Sequence, residues 1–228
     1  MEKQEVHTTE KKEKPSIFKV IWEPAEQFAK VRRNPVILVP MVILLAVYAI
    51  GTFMTASVVD YAVYFEEEGI QIGPEMEPIL NVIASLMVIF VSLITLAIIL
   101  LITAAVYLAI SKIAKKDVTF KQLFSMSTHI AIIGAIGILL NGLIAFATGD
   151  ESTMAMYTSL AYLLGSDNEV LMGIELFSLW GTLITPIALQ KVAGYSKGLS
   201  WGVTIAFFIL GLLFSYATMV MNTLVETM

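Results

Sequence analysis

The stretch that decides the fold runs from Ile79 to Ile110 and reads ILNVIASLMVIFVSLITLAIILLITAAVYLAI. It contains no charged residue, and as a straight helix it would be about 48 Å long at roughly 1.5 Å per residue. The hydrocarbon core of a typical bilayer is only about 30 Å thick. The stretch therefore predicts a membrane-spanning helix that tilts, bends or protrudes from the bilayer.

Apolar runs of similar character occur on both sides of this stretch. The chain has 228 residues, of which 57% are hydrophobic and only 14% are charged, and its mean hydropathy is +0.82. A soluble domain is closer to half apolar and a quarter charged. We predict an all-α integral membrane protein with five transmembrane helices, at about 36–59, 79–110, 123–148, 170–190 and 201–224.

The basic residues predict how these helices are oriented. All 14 Lys and Arg residues fall before the first predicted span, between the second and third, or between the fourth and fifth. The charged residues of the opposite side are all Asp or Glu. Because Lys and Arg are retained in cytoplasmic loops, the N-terminus is predicted to be cytoplasmic and the C-terminus extracellular. The net charge of −5 argues against a nucleic-acid partner, which would need a basic face.

The chain before the first span divides into two segments. Residues 1–14 lack apolar periodicity and carry both signs of charge, which predicts a disordered cytoplasmic tail. Residues 15–35 form an amphipathic segment, in which Pro24 restarts a helical pattern that continues with Phe28 and Val31. Basic residues flank it, as expected for a helix in the headgroup plane. Its apolar face either rests on the lipid bilayer or docks a cytoplasmic partner, and the five-span domain follows at 36–224.

One loop on the acidic side also has helical periodicity. From Ser152 to Leu164, apolar residues recur at helical spacing. At about 20 Å this segment is too short to cross the bilayer. It predicts a helix on the outer surface, with a re-entrant helix as the alternative.

The chain offers few groups that could carry out chemistry. It contains no cysteine and no phosphate-binding, zinc-protease or paired-aspartate motif. Of its two histidines, His7 lies in the tail, and His129 in the third span cannot assemble a metal site unaided. His129 is interpreted as a structural hydrogen-bonding residue rather than a proton relay. We therefore expect no enzymatic activity, no metal and no cofactor.

Two polar residues stand out within the predicted spans. Glu175 is the only acid there, about 8 Å from the outer end of the fourth span at roughly 1.5 Å per residue. Asn141 lies near the middle of the third span. Polar groups in lipid either hydrogen-bond between helices or mark a transport path. We interpret both residues as interhelical contacts; the alternative is a polar path in an autonomous channel or small secondary transporter.

Small residues mark a second kind of helix contact, because they let two backbones approach closely. Two stripes of small residues are present: Gly198, Gly202 and Ala206 at the start of the fifth span, and Ala131, Ala135 and Gly142 on the third. We predict that these stripes pack within one chain. A contact between two copies, giving a homo-oligomer, is the alternative.

Several short motifs follow one another along the chain. They are a W-x-P-x-x-x-F core (Trp22, Pro24 and Phe28), an N-P pair (Asn34 and Pro35), Pro40 in the first span, T-F-K-Q-L-F-S (Thr119 to Ser125), E-L-F-S-L-W (Glu175 to Trp180) and G-Y-S-K (Gly194 to Lys197). In this order and spacing the chain resembles the YIP family of small five-span membrane proteins. The resemblance covers nearly all of the chain after residue 15.

The resemblance implies binding without catalysis. YIP proteins are membrane-trafficking adaptors in eukaryotes, where they bind small GTPases and one another. With its short tail and no C-terminal prenylation box, this chain looks bacterial, which implies a multi-pass protein of the bacterial cell membrane. It is similar to an accessory subunit of a macrolide-type ABC exporter. That similarity implies a permease, an ATPase and a membrane-fusion protein as partners, and a role in defence against toxins or antimicrobial peptides.

The residues predicted to contact a partner or another helix combine the motifs with the polar and small residues. They are Trp22, Pro24, Phe28, Asn141, Glu175, Trp180, Gly198 and Gly202.

Overall fold

A computed structural model describes residues 13–67, 69–149, 156–166 and 168–226. Over these residues the chain is helical, and the only β-structure is one isolated bridge. A 3-10 turn (Lys19–Ile21) comes before the first α-helix, and a π-helical turn (Leu189–Ala193) follows the eighth. In chain order the α-helices are α1 (Pro24–Arg33), α2 (Leu38–Ala56), α3 (Tyr61–Glu67), α4 (Glu77–Ile113), α5 (Phe120–Thr148), α6 (Leu160–Leu164), α7 (Glu169–Met172), α8 (Leu176–Ala188) and α9 (Lys197–Glu226).

Five of these helices are long and apolar enough to cross a membrane. They are α2, α4, α5, α8 together with its π-helical turn, and α9. The predicted helical architecture with five spans is confirmed at this level. Which side of the membrane each end occupies, and whether residues 15–35 lie in the headgroup plane, stay predictions.

The fourth span begins later than the sequence predicts. Instead of one helix from residue 170, the chain forms the short helix α7, turns at Gly173 and starts α8 at Leu176. Glu175 is therefore the N-cap residue of α8 rather than a residue inside a span. Because Val170 to Ile174 contains no polar residue, the hydropathy pattern runs through this break without a signal.

Helix α5 is the centre of the bundle and contacts α2, α4 and α8. Its backbone comes into direct contact with that of α2 where Gly142 meets Gly51. A Cβ atom on Gly142 would overlap the backbone of Gly51, and a Cβ atom on Gly51 would lie 2.7 Å from the Cα and backbone N of Leu139. The two backbones therefore touch with no side chain between them. The stripe predicted on the third span thus contains one half of a real crossing, whereas Gly51 belongs to no predicted stripe.

Helices α4 and α9 lie at the periphery of the bundle. Helix α4 is 37 residues long, and most of its large apolar side chains are exposed, as are about half of those described in α9. A helix that is apolar all round is typical of a membrane span. The exposure of these side chains is consistent with helices that face lipid.

The described basic residues gather at one end of the bundle, which we call the basic end. Here the segment before α2, the α4–α5 connection and the α8–α9 connection meet. Ser125 Oγ donates to the carbonyl of Val36 at 2.7 Å, and Ser111 Oγ lies 2.9 Å from the hydroxyl of Tyr195. The three segments that carry the positive charge are thus brought together, as the orientation prediction requires.

Candidate functional site

The opposite end of the bundle holds a buried cluster of three polar residues: Asn141 on α5, Thr158 in the segment before α6, and Glu175 at the start of α8. We call this set the Glu175 cluster. All three side chains are buried, with Glu175 only 6% exposed. Two of its members, Asn141 and Glu175, are residues that the sequence singles out, and the structure joins them through the third.

Glu175 is fixed by one hydrogen bond at each carboxylate oxygen. The backbone N–H of Ser178 donates to Oε2 at 2.7 Å, which makes Glu175 the side-chain cap of α8. The hydroxyl of Thr158 donates to Oε1 at 2.7 Å. A cap of this kind satisfies a backbone donor that the first turn of a helix would otherwise leave unpaired.

Thr158 and Asn141 pair reciprocally. The backbone N–H of Thr158 donates to Asn141 Oδ1 at 3.0 Å, and Asn141 Nδ2 donates to Thr158 Oγ1 at 2.9 Å. The Thr158 hydroxyl has a single proton. The shorter contact of this hydroxyl is with Glu175 Oε1, so the proton is donated there. The lone pairs of the same oxygen then accept from the Asn141 amide. Every polar atom in the line from α5 to α8 therefore has a partner.

Backbone pairing reinforces this line of side chains. Ser159 and Glu175 form the isolated antiparallel bridge. The residues next to them make its hydrogen bonds: the N–H of Leu160 donates to the carbonyl of Ile174 at 2.8 Å, and the N–H of Leu176 donates to the carbonyl of Thr158 at 3.1 Å. A buried backbone without such partners would lose about the value of a hydrogen bond for each unpaired group. The segment that begins at Met156 is thereby held against the helices.

A glycine makes room for the carboxylate. A Cβ atom on Gly137 of α5 would lie 3.0 Å from Glu175 Oε1 and 2.9 Å from Cδ2 of Phe177. Contacts this short would push the carboxylate and the ring away from α5. Gly137 is therefore a part of the site that the sequence analysis did not identify, and so is Thr158, which looks like any polar loop residue in the sequence.

The arrangement fits a structural joint rather than a reactive centre. Within the described residues, no three His, Asp or Glu side chains come close enough to hold a metal ion. The carboxylate of Glu175 is occupied by its two donors, and its partners are an amide, a hydroxyl and a backbone N–H. Such a set can bind and orient chain segments, and the interpretation of Glu175 and Asn141 as contacts between helices stays a prediction.

The outer helix expected from Ser152 to Leu164 is shorter in the structure. Helix α6 covers only Leu160–Leu164, capped by the Ser159 hydroxyl, which accepts from the N–H of Tyr162 at 3.2 Å. Residues 150–155 lie outside the described part of the chain. Met156 to Ser159 are described and are not helical, so within the described residues only the last part of the predicted helix forms.

At the basic end, helix α1 is docked against the ends of α5 and α8 and against the π-helical turn. Phe28 and Val31 are fully buried, and Gln27 Oε1 accepts from the backbone N–H of Ser16 at 2.9 Å. Arg32 Nη1 donates to the carbonyl of Val192 in the π-helical turn at 2.6 Å. Helix α1 is thus packed on the protein along its apolar face.

The three residues of the W-x-P-x-x-x-F motif have different surroundings. Pro24 occupies the first position of α1, where its missing N–H costs no hydrogen bond. Phe28 is in the core, while Trp22 is 61% exposed and its neighbour Phe18 is also exposed. The motif therefore anchors α1 by one aromatic residue and presents another at the surface.

Ion pairs cover the polar side of α1. Lys30 Nζ lies 2.7 Å from a carboxylate oxygen of Glu26 and 3.0 Å from one of Glu13. The hydrogen bond and charge of Lys30 lower the pKa of Glu26, and the two carboxylates raise the pKa of Lys30. Lys30 and Glu26 both stay charged at neutral pH, so their ion pair persists on this side of α1.

The G-Y-S-K motif contributes a buried tyrosine. The hydroxyl of Tyr195 donates to the carbonyl of Tyr107 on α4 at 3.0 Å and contacts Ser111. Burial raises the pKa of Tyr195 above its usual value, which keeps the phenol protonated as a donor. The motif therefore ties the α8–α9 connection to α4.

His129 is fully buried on α5, with Nδ1 2.7 Å from the carbonyl of Ser125. Its Nε2 has no hydrogen-bond partner among the described residues. A single bond to its own helix is consistent with the structural role expected of it.

The remaining predicted contact residues lie at the surface. Trp180 is about half exposed on α8. Gly198 and Gly202 are exposed, and a Cβ atom on either would meet nothing within 4 Å. The predicted packing of their stripe within one chain is wrong for the described residues, because α9 turns this side away from its neighbours.

Comparisons with known proteins place this geometry in a family. The chain is 29% identical over 215 residues to membrane protein YknW of Bacillus subtilis (strain 168), a match that covers 92% of this chain and 93% of that protein. No solved structure matches the chain significantly. The model of the Yip1 domain family matches residues 18–219, which contain all five spans together with α1, and the chain therefore belongs to the Yip1 domain family.

Proposed function

We propose that this protein is a non-catalytic adaptor of the bacterial cell membrane that helps to assemble or stabilise a multicomponent ABC exporter. Its partners would be the permease, the ATPase and the membrane-fusion protein, and the exporter would serve defence against toxins or antimicrobial peptides. Family membership and the similarity to a bacterial membrane protein over nearly its whole length support an adaptor role. The exporter partners rest on the resemblance of the chain to an accessory subunit of a macrolide-type ABC exporter.

One observation carries the proposal: Trp22 is exposed although the chain on both sides of it is packed against the protein. The residues on either side of it are fixed, since Val20 and Phe28 are fully buried and α1 is joined to the π-helical turn through Arg32. Tryptophan is enriched where proteins bind one another, because it buries a large area at little cost in conformational entropy. A fixed chain that leaves Trp22 and Phe18 uncovered is suited to docking a partner.

The Glu175 cluster supports the adaptor over an autonomous channel or transporter. A transport path needs polar groups that can exchange their partners for a substrate or water. Here the carboxylate oxygens and the Asn141 amide are already paired with the protein. Glu175→Gln should therefore change no substrate flux in proteoliposomes; a flux that this substitution abolishes would favour the transporter.

Cysteine crosslinking tests the docking surface directly. The chain contains no cysteine, so Trp22→Cys introduces its only thiol. We expect this variant to crosslink to the permease or the ATPase in native membranes. Tyr64→Cys is the matched control, because Tyr64 is an exposed aromatic residue in α3, which packs on the far end of α4. Equal crosslinking of both variants would contradict the proposal. So would purification in mild detergent in which wild type, like Trp22→Ala, is recovered without any partner protein.

A further inference from the structure

Four basic residues lie on three elements that contact one another at the basic end. Arg32 and Arg33 end α1, Lys121 lies in the first turn of α5, and Lys191 lies in the π-helical turn. We call this set the basic junction. All four residues are exposed.

Arg32 brings the three elements together. Its Nη1 donates to the carbonyl of Val192, the residue after Lys191, at 2.6 Å. Its own carbonyl accepts from Nε2 of Gln122, the residue after Lys121, at 2.7 Å. Arg33, Lys121 and Lys191 are thus each the sequence neighbour of a residue that takes part in one of these two bonds. Their side chains start from three elements that contact one another.

The charge of this area is not compensated by the protein. The ion pairs of the described residues at this end join Lys19 to Glu23 and Lys30 to Glu13 and Glu26. None of them involves the basic junction. The first turn of α5 contains no acidic residue, and Asp117, four residues before Lys121, makes no ion pair in the described chain. Four positive charges on adjoining elements, without an ion-pair partner among the described residues, attract an anion.

Exposed apolar side chains adjoin these charges. Leu38 and Val39 begin α2 shortly after Arg33, and Leu38 is 76% exposed. Phe120, next to Lys121, is exposed and stacks on Phe124 with ring centroids 5.8 Å apart. Cations followed along the span by uncovered apolar groups match the order of headgroup and acyl chain in one leaflet of a bilayer.

We propose that the basic junction binds the phosphate of an anionic phospholipid in the leaflet on this side, with Arg33, Lys121 and Lys191 contacting the headgroup and Arg32 positioning them. The acyl chains lie against Leu38, Val39 and Phe120. Arg33 supplies planar, paired donors and the lysines supply point charges, the usual combination for a phosphate. The bound lipid would fix α1 to α5 and to the π-helical turn, and this role does not depend on which exporter the protein serves.

Native mass spectrometry of the purified full chain tests this inference. The protein is presented with equal amounts of phosphatidylglycerol and phosphatidylcholine that have the same acyl chains. Wild type should retain phosphatidylglycerol preferentially. The variant Arg33→Gln/Lys121→Gln/Lys191→Gln should lose that preference by roughly a hundredfold, since each basic side chain near the surface contributes about fivefold. Arg32 is left intact, because it holds α1 in place.

A charge-matched control separates a site from a general attraction. Lys112→Gln/Lys115→Gln/Lys197→Gln removes three exposed basic residues from the same end and should keep the preference for phosphatidylglycerol. Equal losses in both triple variants, or no loss in the first, would overturn the proposal. So would displacement of the lipid by excess inorganic phosphate, which would indicate a site for free phosphate. Capture of an acidic protein by wild type without any lipid preference would likewise overturn it.

Discussion

Thr158 joins the two polar residues that a reading of the sequence selects. It lies between Asn141 on one helix and Glu175 at the cap of another, and it uses its hydroxyl and its backbone N–H at the same time. Nothing in the sequence couples a threonine in a loop to these two residues. The Thr158 side chain thus decides whether buried Asn141 and Glu175 keep all their hydrogen-bond partners.

Thr158→Val should destabilise the protein by about 2–4 kcal/mol. Valine has the same shape, but it leaves buried Glu175 Oε1 and Asn141 Nδ2 each without a partner, at about 1–3 kcal/mol each. Thr182→Val is the control, because Thr182 is only partly buried and its hydroxyl donates to the carbonyl of Ser178 in its own helix. Thermal unfolding in detergent, followed by tryptophan fluorescence, measures both. Equal unfolding temperatures for the two variants would show that the Glu175 cluster does not contribute to the stability of the protein.

Gly142→Ala should lower the free energy of unfolding by about 2 kcal/mol or more, because overpacking of a close contact costs 1–3 kcal/mol and here the obstacle is the backbone of Gly51. Gly134→Ala on the same helix meets nothing within 4 Å. It should be neutral or stabilising by up to about 1 kcal/mol, since alanine favours helix. The same unfolding experiment distinguishes them, and a stable Gly142→Ala variant would contradict the close crossing.

The start of α8 shows what a hydropathy pattern cannot predict, namely the residue at which a helix begins. A run of apolar residues predicts that a span exists, but Val170 to Ile174, which include the end of α7 and the turn at Gly173, are also all apolar. Hydropathy measures burial in lipid and is insensitive to where a helix is interrupted. The π-helical turn after α8 is equally invisible, because it uses the same residue types as an α-helix; such turns often occur at functional sites.

Stripes of small residues were informative on α5 and misleading on α9. A crossing needs one small residue on each of two helices, and spacing within one helix cannot reveal its partner. Gly142 has its partner in Gly51, whereas Gly198 and Gly202 have no neighbour in the described chain. The sequence could therefore propose which faces pack but not which helices meet.

Arg32→Gln should loosen α1 from the π-helical turn without unfolding the bundle. The charged hydrogen bond to Val192 contributes about 1.5 kcal/mol or more, while the burial of Phe28 and Val31 remains. Amide hydrogen exchange in α1 should become about tenfold faster. In detergent without added lipid, Arg33→Gln, which removes a neighbouring charge with no such bond, should leave the exchange rates unchanged. Identical exchange in Arg32→Gln and wild type would show that α1 is held by its apolar face alone.

At the scale of the whole molecule, the structure brings the three basic segments to one end and the Glu175 cluster to the other. The five apolar helices were predictable because each is long enough to cross a bilayer. Their assembly around α5 was not, since hydropathy carries no information on which spans are neighbours.

Thiol labelling of intact cells tests the orientation. Lys115→Cys should react with a membrane-impermeant maleimide only after the cells are opened, because the basic end is predicted to face the cytoplasm. Tyr64→Cys should react in intact cells. Each variant contains a single thiol, as the chain has no cysteine of its own. The reverse pattern, or labelling of both residues from the same side, would refute the proposed topology.

The contact between Gly51 and Gly142 limits how this protein can evolve. A large residue can be replaced by a smaller one when a mutation enlarges its neighbour, but glycine has no side chain and no smaller residue can replace it. A mutation at either position therefore has no compensating change at the other. Second-site suppressors of Gly142→Ala should arise where α2 can shift as a body, for example at its connection to α1, and none should arise at Gly51.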